Sequence, residues 1–327
     1  MKSLLTVSAL ALLLMGCGEI PTASVVADVK PGVVFIANKT GESSGGIGSG
    51  FILEDNQIIT NHHVINNAQE LLVFSGDTER KYKAKVVFKD EVMDIAIIEL
   101  EDWNSFDQNE GHANLHLGDS DAMRVGQKVI VIGHPSGLSW TVSQGILSAK
   151  DRRPGGNPRF LNQIDANLYQ GNSGGPIFDS RGNVVCVSNM MLTMEGGSYG
   201  FCIPSILVKK ALYDYKAFGE VRWRVMNVAA GLTDDGSSVI LQSVEPDGAA
   251  AKAGLKEGDK VLMIYTPNNH PEGVKVDTPN ELITEMAKML GDDEMVILLI
   301  DRNGEKMMID VKTNYRLSAE YAPDRAK

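Results

Sequence analysis

From residue 29 to about residue 205 the chain is a succession of short β-like runs, and this pattern limits its folds more than any other feature. The clearest are VVFIAN (33–38), FILEDNQIIT (51–60), KAKVVF (83–88), IAIIEL (95–100), KVIVIG (128–133), VVCVSN (184–189) and GFCIP (200–204). Clusters of Gly, Asn, Asp and Ser separate them, and these residues supply turn geometry. Many short strands at such spacing predict an all-β barrel or sandwich. Helical periodicity first appears in SILVKKALYDYK (205–216), which follows Pro204 and is placed to close the domain.

A second unit spans residues 222–313 and mixes strands with helix. SVILQSV (238–244) and KVLMIY (260–265) read as strands, and 280–290 as a helix. The runs EMVILLI and EKMMIDV flank DRNG, whose Asn303-Gly304 pair is a strong hairpin signal. Residues 314–327 read as a polar tail. The length of 327 residues accommodates two or three domains, and no internal repeat suggests a solenoid.

The N-terminus has the layout of an export signal. Met1-Lys2 is charged, LLTVSALALLLM (4–15) is apolar, and Gly16, Cys17 and Gly18 follow. The apolar run is too short to span a bilayer comfortably. LLMGC resembles the lipobox of bacterial lipoproteins. That resemblance implies a signal peptide at 1–16, acylation of Cys17, and a lipidated tether at 17–28. Several acyl chains hold a protein on a membrane more firmly than one. An ordinary secretory signal with a chance Cys is the alternative. Gly18 resembles the pattern that permits outer-membrane sorting, and the choice between inner and outer membrane stays open.

The formal net charge is -11, and no basic stripe is present, so no nucleic-acid partner is expected. Besides Cys17, only Cys186 and Cys202 occur, both inside apolar runs. Export permits a disulfide between them; two small buried hydrophobes is the other reading. His112 and His116 are four apart, without the converging ligands a metal needs. No cofactor and no metal are expected.

The sharpest local signal is GNSGGP, 171–176. Glycines allow a tight turn that exposes the Ser173 hydroxyl while aiming backbone N–H groups at a developing oxyanion. A serine hydroxyl needs a base to become a good nucleophile. His63, in TNHHVI (60–65), is the candidate base. Asp94, opening DIAIIEL (94–100), is placed to be shielded and to bond an imidazole N–H. His62 and His63 are adjacent on what reads as an extended segment, so their side chains are expected on opposite sides.

These elements resemble the trypsin-like serine proteases, and more closely the HtrA/Deg family. The matches are GSGF (48–51), TNHHVI (60–65), DIAI (94–97), GHPSG (133–137), QGILSA (144–149) and GNSGGP (171–176). The resemblance implies a protease domain at 29–216 built as two six-stranded β-barrels, the chymotrypsin fold. His63 and Asp94 would come from the first barrel and Ser173 from the second. It also implies that His63 is the base, that Asp94 orients it, and that Ser173 attacks. Backbone N–H groups of Gly171 and Ser173 would form the oxyanion hole, with the Asn172 amide between them able to flip in an inactive state. Asn167, Tyr169 and Gln170 become the specificity-pocket candidates, where the family commonly has Asn-Pro before the motif. The family's preference is for small or medium aliphatic P1 residues. KDRRPGGNPR (150–159) matches a regulatory loop of the family.

SVEPDGAAAKAGLKEGDKVLMI (243–264) resembles the most characteristic stretch of a bacterial PDZ domain, an α+β fold. The resemblance implies a PDZ domain at 222–313 that captures an extended peptide by strand addition. Its groove is expected between the strand near 238 and the helix near 280–290. Its carboxylate-binding loop would fall at Arg224, Val225 and Met226, with Met226 in place of a glycine. The implied protein is a serine endopeptidase of the bacterial envelope, lipid-anchored and facing the periplasm. Its substrates would be unfolded, damaged or regulatory polypeptides, and the family implies a homotrimer. The competing reading is a membrane-anchored peptide-binding or chaperone-like protein without turnover.

Overall fold

The computed structural model describes residues 21–41, 44–75, 80–110, 112–138, 140–154, 160–194 and 197–318. The expected signal peptide, Cys17, residues 155–159 of the polar loop and the tail beyond 318 lie outside the described residues.

The chain opens with α1 (Thr22–Val29), in part of the stretch expected to be a tether. Val25 and Val29 are four apart, so they share one helical face, and both are buried in the protein core. Residues 22–28 are therefore packed structure rather than a free leash.

Six strands follow: β1 (Val33–Lys39), β2 (Gly45–Ile52), β3 (Ile58–Thr60), β4 (Glu70–Ser75), β5 (Tyr82–Asp90) and β6 (Ile95–Leu100). They close into a barrel in the order β1-β2-β3-β6-β5-β4. The short α2 (His62–Ile65) leaves β3, and α3 (Trp103–Glu110) follows β6. The second barrel comprises β7 (Lys128–Gly133), β8 (Thr141–Arg152), β9 (Leu161–Ile164), β10 (Pro176–Phe178), β11 (Val184–Met194) and β12 (Gly197–Pro204). Its order is β10-β11-β12-β9-β8-β7. The two closed barrels agree with the expectation from the strand pattern.

The near-continuous apolar runs have a simple cause. Successive side chains on a strand face opposite sides. On β6, Ala96 and Ile98 fill the first barrel, while Ile95 and Ile97 join a second core between the barrels. On β7, Val129 and Val131 fill the second barrel, while Ile130 and Ile132 join the same shared core. A strand buried on both faces shows no alternation in sequence. The shared core also receives Leu207, Val208 and Ala211 from α4 (Ser205–Phe218).

The C-terminal domain contains β13 (Arg222–Val225), β14 (Val228–Leu232), β15 (Val239–Val244), α5 (Ala249–Lys252), β16 (Lys260–Thr266), β17 (His270–Lys275), α6 (Pro279–Lys288), β18 (Met295–Arg302), β19 (Glu305–Lys312) and β20 (Asn314–Leu317). Its main sheet runs β14-β15-β16-β18-β19, with β17 on β16, and β13 pairs with β20. A capping box starts α6: Thr278 Oγ1 accepts from Glu281 N, and Glu281 Oε2 accepts from Thr278 N. Leu282 and Met286 on α6 then bury against the sheet. The sequence left the order of the polar tail open, and its first residues, 314–317, form a strand. Its cause is a partner: β13 offers an otherwise free edge, and Asn314 to Leu317 pair with it in antiparallel register.

Among the described residues, polar ties through Lys210, Lys288 and Ser318 help join the domains. Lys210, on α4, is fully buried, and its ammonium donates to Asp214 Oδ2 at 2.8 Å, Arg222 O at 2.8 Å and Met289 O at 2.6 Å. Asp214 in turn accepts from Gly291 N at 2.7 Å and Arg222 N at 3.1 Å. Burial pushes the Lys210 pKa down, though Asp214 opposes the shift. On α6, Lys288 pairs with Glu285 at 2.8 Å and reaches Asp121 of the two-barrel domain at 3.1 Å. Burial works against its charge, but Asp121 and Glu285 hold its pKa above the usual value. The third tie runs through Ser318, whose hydroxyl accepts from Trp223 Nε1 at 2.8 Å and donates to Asp90 at the end of β5.

Candidate active site

The site forms where α2, the turn before β6, and the loop between β9 and β10 meet. His63 lies on α2, not on an extended segment, so His62 and His63 are neighbours on one helical turn. They diverge by about 100° rather than pointing to opposite sides. His62 is half-buried, and burial lowers its pKa, with Asp94 opposing the shift.

Asp94 stands at φ +57, an uncommon conformation for a residue with a side chain. Its carbonyl is held there by Asn61 Nδ2 at 2.9 Å and His62 N at 3.2 Å. This geometry turns the carboxylate towards His63. Asp94 Oδ1 accepts from His63 N at 2.9 Å, and Oδ2 lies 2.7 Å from His63 Nδ1. An ionised carboxylate only accepts, so in the neutral ring Nδ1 carries the proton and Nε2 is left with its lone pair. The Asp94 side chain is 4% exposed and that of His63 48%, a buried anion behind an accessible base. Asn189 Nδ2 also donates to the carboxylate, to Oδ2 at 2.7 Å.

Ser173 follows Gly171 and Asn172 on the loop before β10. Its hydroxyl donates to the Asn189 carbonyl at 3.2 Å. Among the described residues, no hydrogen bond joins Ser173 Oγ to His63, and such bonds often tighten only when substrate binds. Gly171 has φ +103, and a side chain there would meet the His134 carbonyl at 2.6 Å. Gly174, at φ +83, would meet Thr60 Oγ1 at 2.2 Å. The motif's glycines are thus required by backbone conformation and by close packing of the two barrels.

The loop's polar groups are arranged with a consistent sense. The Gln170 carbonyl accepts from Ser136 N at 3.0 Å, and the Asn172 carbonyl from Gly175 N at 2.9 Å. A trans peptide points its N–H opposite its C=O. The N–H groups of Gly171 and Ser173 are therefore turned away from those anchors, and among the described residues neither donates to a protein acceptor. The Asn172 N–H is committed to Tyr169 O at 3.0 Å. Two free amides beside a half-buried hydroxyl can stabilise a tetrahedral oxyanion.

Of the specificity candidates, Tyr169 is 53% exposed and Asn167 offers its carbonyl to Ser143 Oγ at 2.9 Å. Gln170 is exposed and contributes the anchored carbonyl described above. His112 stacks edge-on to Trp103, and His116 Nδ1 lies 3.6 Å from Glu54. Among the described residues, no group of three or more His, Cys, Asp or Glu is placed to hold a metal ion. Cys186 and Cys202 are free, buried thiols, and burial pushes the Cys202 thiol well up.

The residues expected to form the carboxylate loop, Arg224, Val225 and Met226, all border a cleft, but the glycine-like position falls one residue later. Arg224 and Val225 belong to β13 and pair with β20. Met226 is buried in the domain core, and its carbonyl accepts from Ala250 N at 2.9 Å. The positive φ that a glycine would supply falls on Asn227, at +64. The sequence placed that position one residue too early because Asn can adopt the left-handed region nearly as Gly does. The neighbouring cleft, about 400 Å³, lies between β14 and α6, not beside the strand near 238. Its walls include Met226, Val228, Ala230, Leu282, Ile283 and Met286.

Sequence reasoning did not assign Asn61 or Asn189. Two signals were available: Asn61 stands inside TNHHVI, and Asn189 is a polar residue set inside the apolar run VVCVSNMM. Buried polar side chains require partners, and both of these face Asp94.

Comparison with known proteins adds independent findings. A family model described as trypsin-like peptidase domain matches residues 48–187. A probable periplasmic serine endoprotease, DegP-like, from Marinomonas sp. (strain MWYL1) is 33% identical over 285 residues, covering 83% of this chain and 57% of that protein. The periplasmic serine endoprotease DegP of Salmonella typhimurium is 34% identical over 234 residues, covering 67% of this chain and 48% of its own length. The chain thus spans about half the length of these curated relatives. Among solved structures, the HtrA-type protease AlgW with tripeptide superposes with a TM-score of 0.69 at 25% identity, over 90% of this chain and 97% of that one. The serine endoprotease from Yersinia pestis gives 0.60 at 27% identity, over 90% and 98%.

Proposed function

This chain carries a trypsin-like peptidase domain homologous to the DegP/HtrA periplasmic serine proteases, and from that premise we propose that it is a serine endopeptidase of the bacterial cell envelope. The observation that carries the reading is the buried Asp94 carboxylate on His63 facing a loop with two unpaired amides beside Ser173.

In this reading Ser173 swings from the Asn189 carbonyl to His63 Nε2 when an extended peptide occupies the cleft. His63 takes the hydroxyl proton as Oγ attacks the peptide carbonyl. The imidazolium that forms is stabilised by Asp94, which stays ionised. The developing oxyanion is met by the N–H groups of Gly171 and Ser173, and each such bond is worth about 3–4 kcal/mol of transition-state stabilisation. His63 next protonates the leaving amine. Water, deprotonated by the same base, then attacks the acyl-enzyme and frees Ser173.

The C-terminal domain is assigned as a PDZ domain whose groove is the cleft between β14 and α6. A peptide pairing with β14 would present its side chains to Leu282 and Met286 of α6. Extended or unfolded polypeptides are the substrate class. The relatives named above are periplasmic, which supports an envelope location, and acylated Cys17 would tie the protein to a membrane. A homotrimer through the protease domain is the assembly assigned. The test is fluorophosphonate labelling together with casein hydrolysis, each repeated on Ser173→Ala. Labelling and turnover that both vanish in the variant are expected. A folded wild-type protein that neither labels nor hydrolyses, with or without added peptides, would sink the endopeptidase reading.

A further inference from the structure

Ser49 is completely buried on β2 of the first barrel, yet every bond it makes across the cleft is to the loop that carries the nucleophile or to the strand end beside it. Its hydroxyl donates to the Gly171 carbonyl at 2.7 Å. The same oxygen accepts from His134 N at 3.0 Å, which fixes the direction of its own proton. Its backbone N–H donates to the Ser173 carbonyl at 2.8 Å. One residue of the first barrel therefore grips the second barrel on both sides of Asn172.

The consequence follows from the peptide planes. The plane carrying the Gly171 N–H is anchored through the Gln170 carbonyl to Ser136 N, and the plane carrying the Ser173 N–H through the Asn172 carbonyl to Gly175 N. Between them lies the plane joining Gly171 to Asn172, and its carbonyl is held by Ser49 Oγ. Gly171 has no side chain and a positive φ, so rotation of that middle plane meets little intrinsic resistance. Turning it would release the Asn172 N–H from Tyr169 and tilt both neighbouring planes. The two oxyanion donors would then lose their common aim. No other side chain bonds that carbonyl among the described residues.

We propose that Ser49 is a positioning residue for the oxyanion hole, holding its middle peptide plane from the opposite barrel. This role rests on the endopeptidase reading above. Ser49 touches no reacting atom, and it acts through Gly171. Its bond to the Ser173 carbonyl is made by the backbone N–H and survives Ser49→Ala and Ser49→Cys, so the hydroxyl's effect can be isolated. Because His63 and Asp94 belong to the same barrel as Ser49, the clamp also sets the register between base and oxyanion donors.

The experiment compares wild type, Ser49→Ala and Ser49→Cys, using a fluorogenic peptide with Val before the cleaved bond and a fluorophosphonate. Ser49→Ala is expected to lower kcat about 10- to 100-fold, the range for a slightly misplaced catalytic group. KM should change less than about threefold, and fluorophosphonate labelling should slow by a similar factor to kcat, since both pass through an oxyanion-like state. The Ser49→Cys variant keeps a weak donor on a somewhat larger atom, and should fall between the two. Far-UV circular dichroism on each variant checks that the barrels are intact. A folded Ser49→Ala protein with wild-type kcat overturns the proposal while leaving the endopeptidase reading standing. A loss carried by KM alone overturns it too, as does failure of both variants to fold, which would make Ser49 a residue of the core. An inert wild-type protein defeats both readings at once.

Discussion

The buried Lys210–Asp214 pair gives the most quantitative prediction for how the two domains are held. All three protons of the Lys210 ammonium are used, on Asp214, Arg222 O and Met289 O, and the side chain is wholly inside. Replacing it in Lys210→Met leaves the Asp214 carboxylate without its cation and strands two backbone carbonyls. Removing one member of a buried ion pair costs about 3–5 kcal/mol, against a total stability of about 5–15 kcal/mol for a typical domain. At a urea dependence of about 2 kcal/mol per molar, a loss of about 4 kcal/mol moves the unfolding midpoint by about 2 M. Asp214→Leu should cost a comparable amount, because it strands the ammonium instead. The double variant should be milder than the sum of the singles by at least about 2 kcal/mol, the signature of a coupled pair. It should not reach wild-type stability, because Gly291 N and Arg222 N lose their acceptor in both Asp214 variants. Urea titrations followed by tryptophan fluorescence provide the measurement, with Trp223 beside the pair as reporter. A Lys210→Met midpoint within about 0.5 M of wild type, the shift expected of an exposed ion pair, would refute the reasoning.

Two further outcomes are expected. Asn189→Ala removes the 2.7 Å donor to Asp94 Oδ2 but keeps the carbonyl that Ser173 bonds. A hydrogen bond to a charged group contributes about 1.5–3 kcal/mol; kcat should fall about 10- to 100-fold with KM little changed, and an unaltered kcat would show that the carboxylate needs no such support. His62 supplies the pH dependence. Its pKa in the folded state lies below the ordinary 6.5 because of burial, so the unfolded chain binds the proton more readily. The associated stability is present above pH 6.5 and is lost as pH falls below it towards the folded value. Melting temperatures measured from pH 7.5 downwards should therefore decline more steeply for wild type than for His62→Gln, and parallel curves would count against the assignment.

How far the sequence could be read depended on what kind of physics each feature used. The barrels were legible because strand length and turn residues are local properties. GNSGGP was legible because its glycines answer to backbone geometry that no other residue satisfies. Elements bonded by context were not. β14 and β17 lack a strong apolar pattern, since none of their residues is fully buried and both ladders shift register. The helix α1 was hidden by its small residues, whose helical face becomes apparent only when Val25 and Val29 meet the barrel. Within the site, the proposed triad could be assigned from motifs, but the groups that orient it could not, although Asn61 and Ser49 stand inside TNHHVI and GSGF. Asn61, Asn189 and Ser49 act on backbone or on a carboxylate far away in sequence, the last across 122 positions. Their identities as Asn or Ser only say that a partner must exist. Asn227 carries the same lesson in the C-terminal domain, where φ and not residue type located the turn.

The pairing of β20 with β13 has a practical implication for anyone who would cut this protein at its apparent domain limits. Ending the chain after residue 313 would strip a strand from β13 and present its open backbone to any passing neighbour. The same deletion would take away Ser318, and with it the hydrogen bond to Asp90, whose carboxylate accepts from Met93 N just before the turn that bears Asp94. A shortened protein that clumped or lost activity would then be misread as evidence about peptide binding, when the injury lay in a seam stitched from the far end of the chain.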